Sequence, residues 1–196
     1  DVRADTTEQV PFDPGSAGLE VLVADSMVRH GHAGGEYRER REDCEESARR
    51  LNVPSLRGVT VGDLPAAIQQ LDHERLAKRT RHIVTENQRV RDVAAALSHD
   101  RWERVGELLN EAHASYRDDF EASCEEVDVA VSALLEAGAL GARLTGGGFG
   151  GAAIALVRSE DVAKAKSAVE SAYAERGYAE PTIFTVVPSA GAQRIV

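Results

Sequence analysis

The sequence lacks the features that mark secreted, membrane-spanning and disulfide-stabilised proteins. Its 196 residues include two cysteines, Cys44 and Cys124, and neither belongs to a C-x-x-C pair, so neither a zinc site nor a disulfide framework is indicated. No run of 18 apolar residues is present, and the first residues do not resemble a signal peptide, which argues against a membrane span or secretion. We therefore expect a protein of the reducing cytoplasm.

Basic residues are also in short supply. The chain has 23 lysines and arginines against 33 aspartates and glutamates, a formal net charge of −10, and no block of Lys or Arg. A general basic surface for nucleic acid or anionic membranes is therefore excluded. The apolar share of 42% and the charged share of 29% are ordinary for a globular protein. The sequence starts Asp1-Val2-Arg3, without methionine, and we expect a piece of a longer protein.

Glycine is the residue that is in excess, and only at one place. Five of the six residues 146–151 are glycine. Glycine adopts positive φ freely but costs about 1 kcal/mol relative to alanine inside a helix or strand, so this run forms neither. It is either a tight connection with a purely structural role or a surface of bare N–H groups that faces a bulky, anionic group.

Gly146, Gly148 and Gly151 also fit the G-x-G-x-x-G spacing of dinucleotide-binding loops. That interpretation requires a helix after the glycines and an acidic residue at the end of the next strand. Residues 152–157 are a short apolar run that is typical of a buried strand, although periodicity does not exclude a helix. The next predicted strand, 182–187, runs into proline and offers no carboxylate, which disfavours the dinucleotide interpretation.

The remaining periodicity predicts an α+β protein. Branched apolar residues at 19–24 indicate a strand, and apolar residues at helical spacing indicate several helices before the glycines. The order strand, helices, strand, strand, helix, strand predicts a ferredoxin-like split βαβ sandwich with extra helices inserted in the first crossover. One domain, 1–196, is predicted: a polar strand and turn at 1–18, a strand and helical insertion at 19–137, and the glycine hairpin, a helix and final strands at 138–196.

Caps and breakers set the predicted boundaries of these elements. Helices are predicted at 36–51, 72–97 and 160–176. A short helix that ends at Leu71 is predicted to be capped by Asp63, and another helix is predicted to follow Asp100 as its cap. A further helix is predicted to begin at a capping box of Ser123 and Glu126 and to end at Gly138. Strands are predicted at 139–145, 152–157 and 182–187, and residues 193–196 could add an edge strand.

Two polar clusters near the first helix are candidates for function. His30 and His32 could bind a metal, but no third ligand stands at a suitable spacing, so a solvated loop is favoured and no metal site is predicted. Arg38, Arg40 and Arg41 lie in the first turns of a predicted helix, where the helix dipole favours acidic residues. This conflict points to a function, unless these arginines pair with glutamates one turn later on the same helix.

Several stretches resemble the galactokinases, a branch of the GHMP kinases, and they occur in the same order. The glycine run resembles the third conserved motif of the GHMP kinases, with Ala152 where many members carry cysteine. The other stretches are 1–3, 28–30, 36–38 with 40–45, and 81–87. The resemblance covers the whole chain but only the C-terminal half of such an enzyme, and it implies the fold of the GHMP kinase C-terminal domain.

The resemblance implies an activity and a set of site residues. The activity is phosphorylation of D-galactose at its anomeric hydroxyl by ATP and magnesium, which gives galactose 1-phosphate. Tyr37 matches the tyrosine that hydrogen-bonds the sugar, although it would also suit a half-buried position on a helix. Arg29 lies near the site by analogy, where it either compensates phosphate charge or forms a structural ion pair. The motif that lies against the phosphate-binding loop is matched by Gly146, Gly147, Gly148, Phe149, Gly150 and Gly151.

Other parts of the family pattern have no match in this chain: the sugar-binding motif, the serine-rich phosphate loop and the catalytic aspartate, which is expected upstream of Asp1. Because phosphoryl transfer depends on positioning and on charge stabilisation around the phosphates, we expect the chain alone to be inactive and to bind neither ATP nor magnesium tightly. The expected partner is the N-terminal half of the enzyme, whose absence would expose an apolar face and promote self-association. The alternative is a non-catalytic, galactokinase-like module for sugar binding or assembly.

Overall fold

The computed structural model describes residues 6–29 and 33–189. The strands are β1 (Leu19–Asp25), β2 (Gly141–Thr145), β3 (Ala152–Arg158) and β4 (Thr182–Val186). The α-helices are α1 (Ala33–Arg50), α2 (Leu64–Leu71), α3 (Glu74–Leu97), α4 (Trp102–Ser115), α5 (Glu125–Glu136) and α6 (Val162–Arg176). A π-helical turn, Tyr116–Phe120, follows α4, and short 3-10 turns lie at Pro14–Ala17, Leu56–Gly58 and Ser159–Asp161. No helix in the described ranges is long and apolar enough to cross a membrane.

The strands form one antiparallel sheet in the order β2-β3-β1-β4. β1 pairs with β3 on one side and with β4 on the other, while β2 pairs with β3. With α5 leading into β2 and α6 connecting β3 to β4, this is the ferredoxin-like arrangement that the order of elements predicted. Helices α1 to α4 form the predicted insertion in the first crossover.

The main core lies between one face of the sheet and helices α5 and α6. Alternate strand residues, among them Leu22, Leu144 and Val157, are fully buried in one cluster with Leu134 of α5 and Val169 of α6. Successive side chains of a strand point to opposite faces, which is why every second residue enters this cluster. Each such side chain is worth about 1.5–3 kcal/mol when it is fully buried.

The opposite face of the sheet is covered over only part of its width. Leu19 and Leu156 pack there with Trp102 of α4 and with the end of α3. Helix α4 comes so close to β2 that a Cβ on Gly106 would overlap the carbonyl oxygen of Leu140. The contact between α4 and the sheet therefore depends on the absence of a side chain at this position.

A buried arginine ties the helical insertion together. Arg79 on α3 is 1% exposed, and its guanidinium contacts the carboxylates of Asp43 on α1 at 3.4 Å and of Glu121 at 2.7 Å. It also donates to the carbonyl oxygen of Asp119 at 2.6 Å. Because desolvation of an unpaired charge is costly, these partners are required, and through them Arg79 fixes residues 119–121 against α1 and α3.

His82, one turn farther along α3, holds the same segment through its ring. Its Nδ1 lies 3.0 Å from Ser115 Oγ, and because Ser115 donates its own proton to Asp119 at 3.2 Å, Nδ1 is the donor in the first bond. The ring stacks on Phe120 with centroids 4.5 Å apart and meets Tyr116 edge-on at 4.6 Å. Burial lowers the pKa of His82 to about 4, so the imidazole is neutral at pH 7.

Two predicted helix caps are wrong. Ser123 and Glu126 do not form a capping box, because Cys124 is the N-cap residue of α5 and the Ser123 hydroxyl donates to Asp128 instead. Asp100 has a φ of 52° and does not cap α4. Ser123 therefore bonds elsewhere, which serine does readily because its hydroxyl forms local hydrogen bonds in non-helical backbone.

The other boundaries differ by a few residues. Helix α1 begins at Ala33 instead of 36, and β2 begins at Gly141 instead of 139. Asp63 precedes α2 as predicted, but its carboxylate accepts from Thr60 and not from the helix. The predicted polar strand near residue 2, His30 with His32, and the edge strand at 193–196 lie outside the described residues.

The close approach of α4 to β2 predicts the effect of Gly106→Ala. The added methyl group overlaps the Leu140 carbonyl group, so α4 must shift, and we expect the free energy of unfolding to fall by about 2 kcal/mol despite a helix-propensity gain of about 1 kcal/mol. Gly35→Ala is the matched control, since Gly35 is also helical and a Cβ there meets nothing within 4 Å. Urea unfolding measures both variants, and equal stabilities would contradict the close packing.

The neutral, buried His82 predicts a pH-dependent loss of stability. A histidine in the unfolded chain titrates near 6.5, whereas His82 in the folded protein titrates at about 4, so the unfolded state takes up the proton first. The stabilisation is complete above pH 6.5 and decreases as the pH falls through the window from about 6.5 to about 4, by roughly 3 kcal/mol in total. In urea titrations at several pH values, His82→Gln should weaken this dependence. Identical slopes for the two proteins would refute the assignment.

Candidate functional site

The glycine run is the turn of a β-hairpin. Residues 146–151 join β2 to β3, and the flanking residues Thr145 and Ala152 are paired across the ladder. Because a strand and not a helix follows the glycines, the dinucleotide interpretation is wrong. The turn consists of backbone and one phenyl ring and has no titratable side chain, so it can act only by positioning other groups and by backbone contacts.

A backbone hydrogen bond clamps this turn to the helical insertion. The Phe149 N–H donates to the carbonyl oxygen of Ala122, with the two atoms 2.6 Å apart. Phe149 has a φ of 60° and Gly148 one of 87°, a left-handed backbone that costs a non-glycine residue roughly 1–2 kcal/mol. A Cβ on Gly148 would overlap the Ala122 carbonyl oxygen. Gly148 is therefore required for space as well as for its φ.

The other end of the turn is bonded to the segment that follows β1. Ser26 donates through its N–H and through its hydroxyl to the carbonyl oxygen of Gly151, at 2.9 and 2.6 Å. The Gly151 N–H in turn donates to the carbonyl oxygen of Val28 at 3.3 Å. Arg29 is the next residue and is exposed, so these bonds hold its backbone beside the turn.

Arg40 connects the start of α1 to the same turn. Its Nε and Nη2 donate to the carbonyl oxygens of Phe120 and Glu121 at 2.7 and 3.0 Å, and its guanidinium lies 5.6 Å from the centre of the Phe149 ring. Sequence reasoning did not separate Arg40 from the neighbouring arginines. The sequence prediction placed Arg40 in the first turns of a helix, but α1 begins at Ala33, so Arg40 is its eighth residue and lies beyond the reach of the helix dipole.

Tyr37 lies one turn before Arg40 on α1, and residues three apart share one face of a helix. Its side chain is 60% exposed, which does not fit the alternative of a half-buried helix residue. Arg38 and Arg41 form ion pairs with glutamates one turn later, at 3.8 and 2.8 Å, which is the pairing considered in the sequence. Such exposed pairs contribute little to stability.

A second polar cluster joins α3 to β2. Arg143 on β2 pairs with Glu86 on α3 at 2.8 Å, and Glu86 pairs with Arg89 at 2.8 Å. The Arg143 guanidinium lies 5.0 Å from the centre of the Tyr116 ring. Burial raises the pKa of Glu86, but hydrogen bonds and positive charge from Arg89 and Arg143 outweigh burial, and the pKa is lowered. Glu86 is thus an ionised carboxylate that orients β2, a role that the sequence stretch 81–87 did not reveal.

The free side of the turn is open. A Cβ on Gly146, Gly147 or Gly151 would meet no atom within 4 Å. The exposed side chains of Tyr37 and Arg29 belong to segments that are bonded to this turn through Arg40, Ser26 and Val28. The arrangement offers hydrogen-bond donors of three kinds, a phenol, a guanidinium and backbone N–H groups, and these can orient hydroxyl and phosphate groups.

Comparison with known proteins identifies relatives along the whole chain. A family model described as GHMP kinases C terminal matches residues 93–175. The galactokinase of Streptomyces coelicolor is 47% identical over 197 residues, which cover 100% of this chain and 51% of that protein. The galactokinase of Mycobacterium tuberculosis H37Rv is 44% identical over 192 residues, which cover 98% of this chain and 53% of that protein. The chain spans about half the length of the curated relatives it matches.

Solved structures agree with these matches. A crystal structure of Lactococcus lactis galactokinase complexed with galactose superposes with a TM-score of 0.81 at 32% identity, covering 86% of this chain and 45% of that one. A structure of L. major mevalonate kinase in complex with R-mevalonate reaches a TM-score of 0.53 at 22% identity, over 88% of this chain and 44% of that one, and supports the fold alone. The chain contains a GHMP kinase C-terminal domain, matched over residues 93–175, and its sequence relatives are galactokinases.

Proposed function

We propose that this chain forms the C-terminal half of a galactokinase, an enzyme that phosphorylates D-galactose at its anomeric hydroxyl with ATP and magnesium. The observation that carries the proposal is the 47% identity to the Streptomyces coelicolor galactokinase along the full chain. The fold supports it, because the galactokinase-like stretches around residue 28, at the start of α1 and at 144–151 are bonded to one another.

In this proposal Tyr37 binds the sugar. A phenol that stands exposed near the beginning of a helix can donate one directed hydrogen bond to a sugar hydroxyl and pack its ring beside the pyranose. Arg40 holds that end of α1 against Phe149 and the carbonyl oxygens of Phe120 and Glu121. The part of α1 that carries Tyr37 is therefore held beside the glycine turn by contacts that do not involve the substrate.

The glycine turn and Arg29 serve the phosphates in this proposal. The bare backbone of 146–151 lets the phosphate-binding loop of the other half approach closely, and no side chain of the turn intervenes apart from the buried Phe149 ring. Arg29 is exposed beside the turn, where its guanidinium could pair with phosphate oxygens. Phosphate charge compensation is thus its proposed role, in preference to a structural ion pair.

The chemistry divides between the two halves of the enzyme. Phosphoryl transfer requires little covalent chemistry from a protein and depends on positioning and electrostatic stabilisation. The present half supplies donors and a rigid backbone surface, while the catalytic carboxylate and the loop that wraps ATP and magnesium come from the N-terminal half. We therefore propose that this chain is part of an enzyme and has no useful activity by itself, since loss of a general base alone typically costs 10²–10⁴-fold.

An apolar strip on the sheet is the proposed contact surface for that N-terminal half. Val23 on β1 pairs with Ile154 on β3 and with Phe184 on β4. Val186 lies two residues after Phe184 on β4, so its side chain is on the same face of the sheet. Phe184 and Val186 are 44% and 41% exposed. The apolar strip is thus Val23, Ile154, Phe184 and Val186, on the face that α4 covers only in part.

Two observations favour the N-terminal half as the occupant of the apolar strip. The relatives are about twice as long as this chain, so a second part of comparable size is available. Phe12, near the beginning of the described residues, packs on Trp102 with ring centroids 5.9 Å apart, and Trp102 belongs to the cluster on the same sheet face. Without that half the strip faces water, which favours association between copies of this chain.

The sugar-binding role is tested by Tyr37→Phe in a joined enzyme, in which this chain follows the N-terminal half of the Streptomyces coelicolor galactokinase. Loss of one hydrogen bond to a neutral hydroxyl costs about 0.5–1.5 kcal/mol, so KM for galactose should rise about 2- to 12-fold while KM for ATP stays unchanged. Arg38→Gln, on the same turn of α1, is the matched control. An unchanged KM for galactose in the Tyr37→Phe enzyme would exclude the proposed contact.

Self-association of the isolated chain is tested by sedimentation velocity. We expect a concentration-dependent dimer, and we expect Phe184→Glu to abolish it because a charge in the centre of the apolar strip would have to be desolvated on contact. Val61→Glu is the control, since Val61 is similarly exposed, at 45%, but lies in the loop before α2. A monomer at all concentrations for the unaltered chain, or equal effects of both variants, would rule out the strip as a contact surface.

A further inference from the structure

We propose that the cavity between α1, the loop 51–58 and α3 binds a small organic anion with a flat apolar body. The cavity has a volume of about 570 Å³, within the usual range for small-molecule sites of roughly 300–1,000 Å³. It is lined by Arg41, Cys44, Glu45, Ala48, Arg49, Val53, Pro54, Ser55, Leu56, Arg57, Ile83 and Asn87. The proposal does not rest on the proposed kinase function, because none of the lining residues has a role in that function.

The floor of the cavity is apolar and uncharged. Ala48 and Leu56 are buried, and Val53 and Ile83 are half-buried beside them. Burial, assisted by the neighbouring Asp43 carboxylate, raises the pKa of the Cys44 thiol to about 11, so this side chain is a neutral thiol at pH 7 and behaves as a small apolar group. A ligand must therefore present an apolar surface to the floor.

The rim of the cavity is positively charged in a protein that is otherwise acidic. Three arginines and one glutamate line the cavity, while the chain as a whole has a formal net charge of −10. Arg41 pairs with Glu45 at 2.8 Å, while Arg49 donates to both carboxylate oxygens of Glu46, at 2.8 and 2.7 Å, and Arg50 shares that carboxylate at 2.7 Å. The Arg41 and Arg49 side chains are each 71% exposed. The exposed Arg41–Glu45 pair is worth little, so the Arg41 guanidinium can turn from its glutamate to a bound anion at small cost.

The combination of floor and rim selects the class of ligand. Arginine binds carboxylate and phosphate groups with two parallel hydrogen bonds and also stacks on flat rings. An inorganic anion would leave the apolar floor uncovered, and a neutral apolar molecule would leave the guanidinium groups without a new partner. A flat hydrocarbon or heteroaromatic ring that carries a phosphate or carboxylate group satisfies both parts of the cavity.

The cavity also accounts for residues that the sequence analysis singled out and the proposed catalytic surface does not use. Arg41 comes from the arginine-rich beginning of α1, and Ile83 and Asn87 come from the stretch 81–87. Arg40 donates to the carbonyl oxygen of Phe120 and lies over the ring of Phe149 in the glycine turn. The adjacent Arg41 lies about 100° farther around the helix. One helix thus presents consecutive arginines to two different surfaces.

Phenyl phosphate is the probe for this site, with inorganic phosphate and benzyl alcohol as the partial ligands. In amide NMR titrations of the 196-residue chain, we expect phenyl phosphate to shift resonances of 41–57 and 83–87 with a dissociation constant on the order of 1 mM or below, as suits a ligand of this size. Inorganic phosphate and benzyl alcohol should each bind at least about tenfold more weakly, because each lacks one of the two interactions.

Substitution of the rim arginines separates this site from general attraction to the surface. The double variant Arg41→Gln with Arg49→Gln should weaken phenyl phosphate binding about tenfold or more, and both side chains are exposed enough for the fold to persist. Arg104→Gln is the matched control, since Arg104 also forms exposed pairs with glutamates, on α4. Shifts that map elsewhere, equal affinity for either partial ligand, or unchanged binding by the double variant would overturn the proposal.

Discussion

The hydrogen bond between the Phe149 N–H and the Ala122 carbonyl oxygen is the constraint on which the arrangement of the site depends. It joins the glycine turn, which belongs to the sheet, to the end of the helical insertion. Ala122 is itself positioned by the preceding segment, which Arg79 and His82 anchor to α3 through buried hydrogen bonds and ring contacts. The position of the glycine turn thus depends on two buried polar side chains, Arg79 and His82, which lie more than 60 residues before it in the sequence.

The sheet and its hairpin could be predicted because their signals are local. Branched apolar residues at 19–24, a short apolar run at 152–157 and a glycine run too dense for a helix or strand predict the strands and the turn before the second of them. The roles of Arg40 and Glu86 could not be predicted, because their partners lie 80 and 57 residues away. The caps predicted at Asp100 and Ser123 were wrong because a serine or aspartate whose side chain could cap a helix can also form other local hydrogen bonds, and the sequence does not show which bond forms.

Helix α1 contributes to two of the three surfaces that we describe. Its beginning carries the exposed Tyr37 and, through Arg40, is held against the glycine turn. Farther along, α1 carries Arg41 and Arg49 on the rim of the cavity. The half-covered sheet face adds a third surface, the apolar strip, beside the cluster of α3 and α4. Hydrogen-bond donors and an apolar contact face are what one half of a two-part enzyme would contribute, with acid–base chemistry left to the other half.

The measurement that tests this account most directly is galactose-dependent release of ADP from ATP, followed in a coupled assay with the chain alone and with the chain joined to a galactokinase N-terminal half. The account predicts no turnover above background for the chain alone and turnover for the joined protein, because the positioning surface works only opposite a phosphate loop and a base. Turnover by the chain alone would contradict it. A joined protein that binds galactose and ATP without turnover would contradict it as well, and would favour a sugar-binding module.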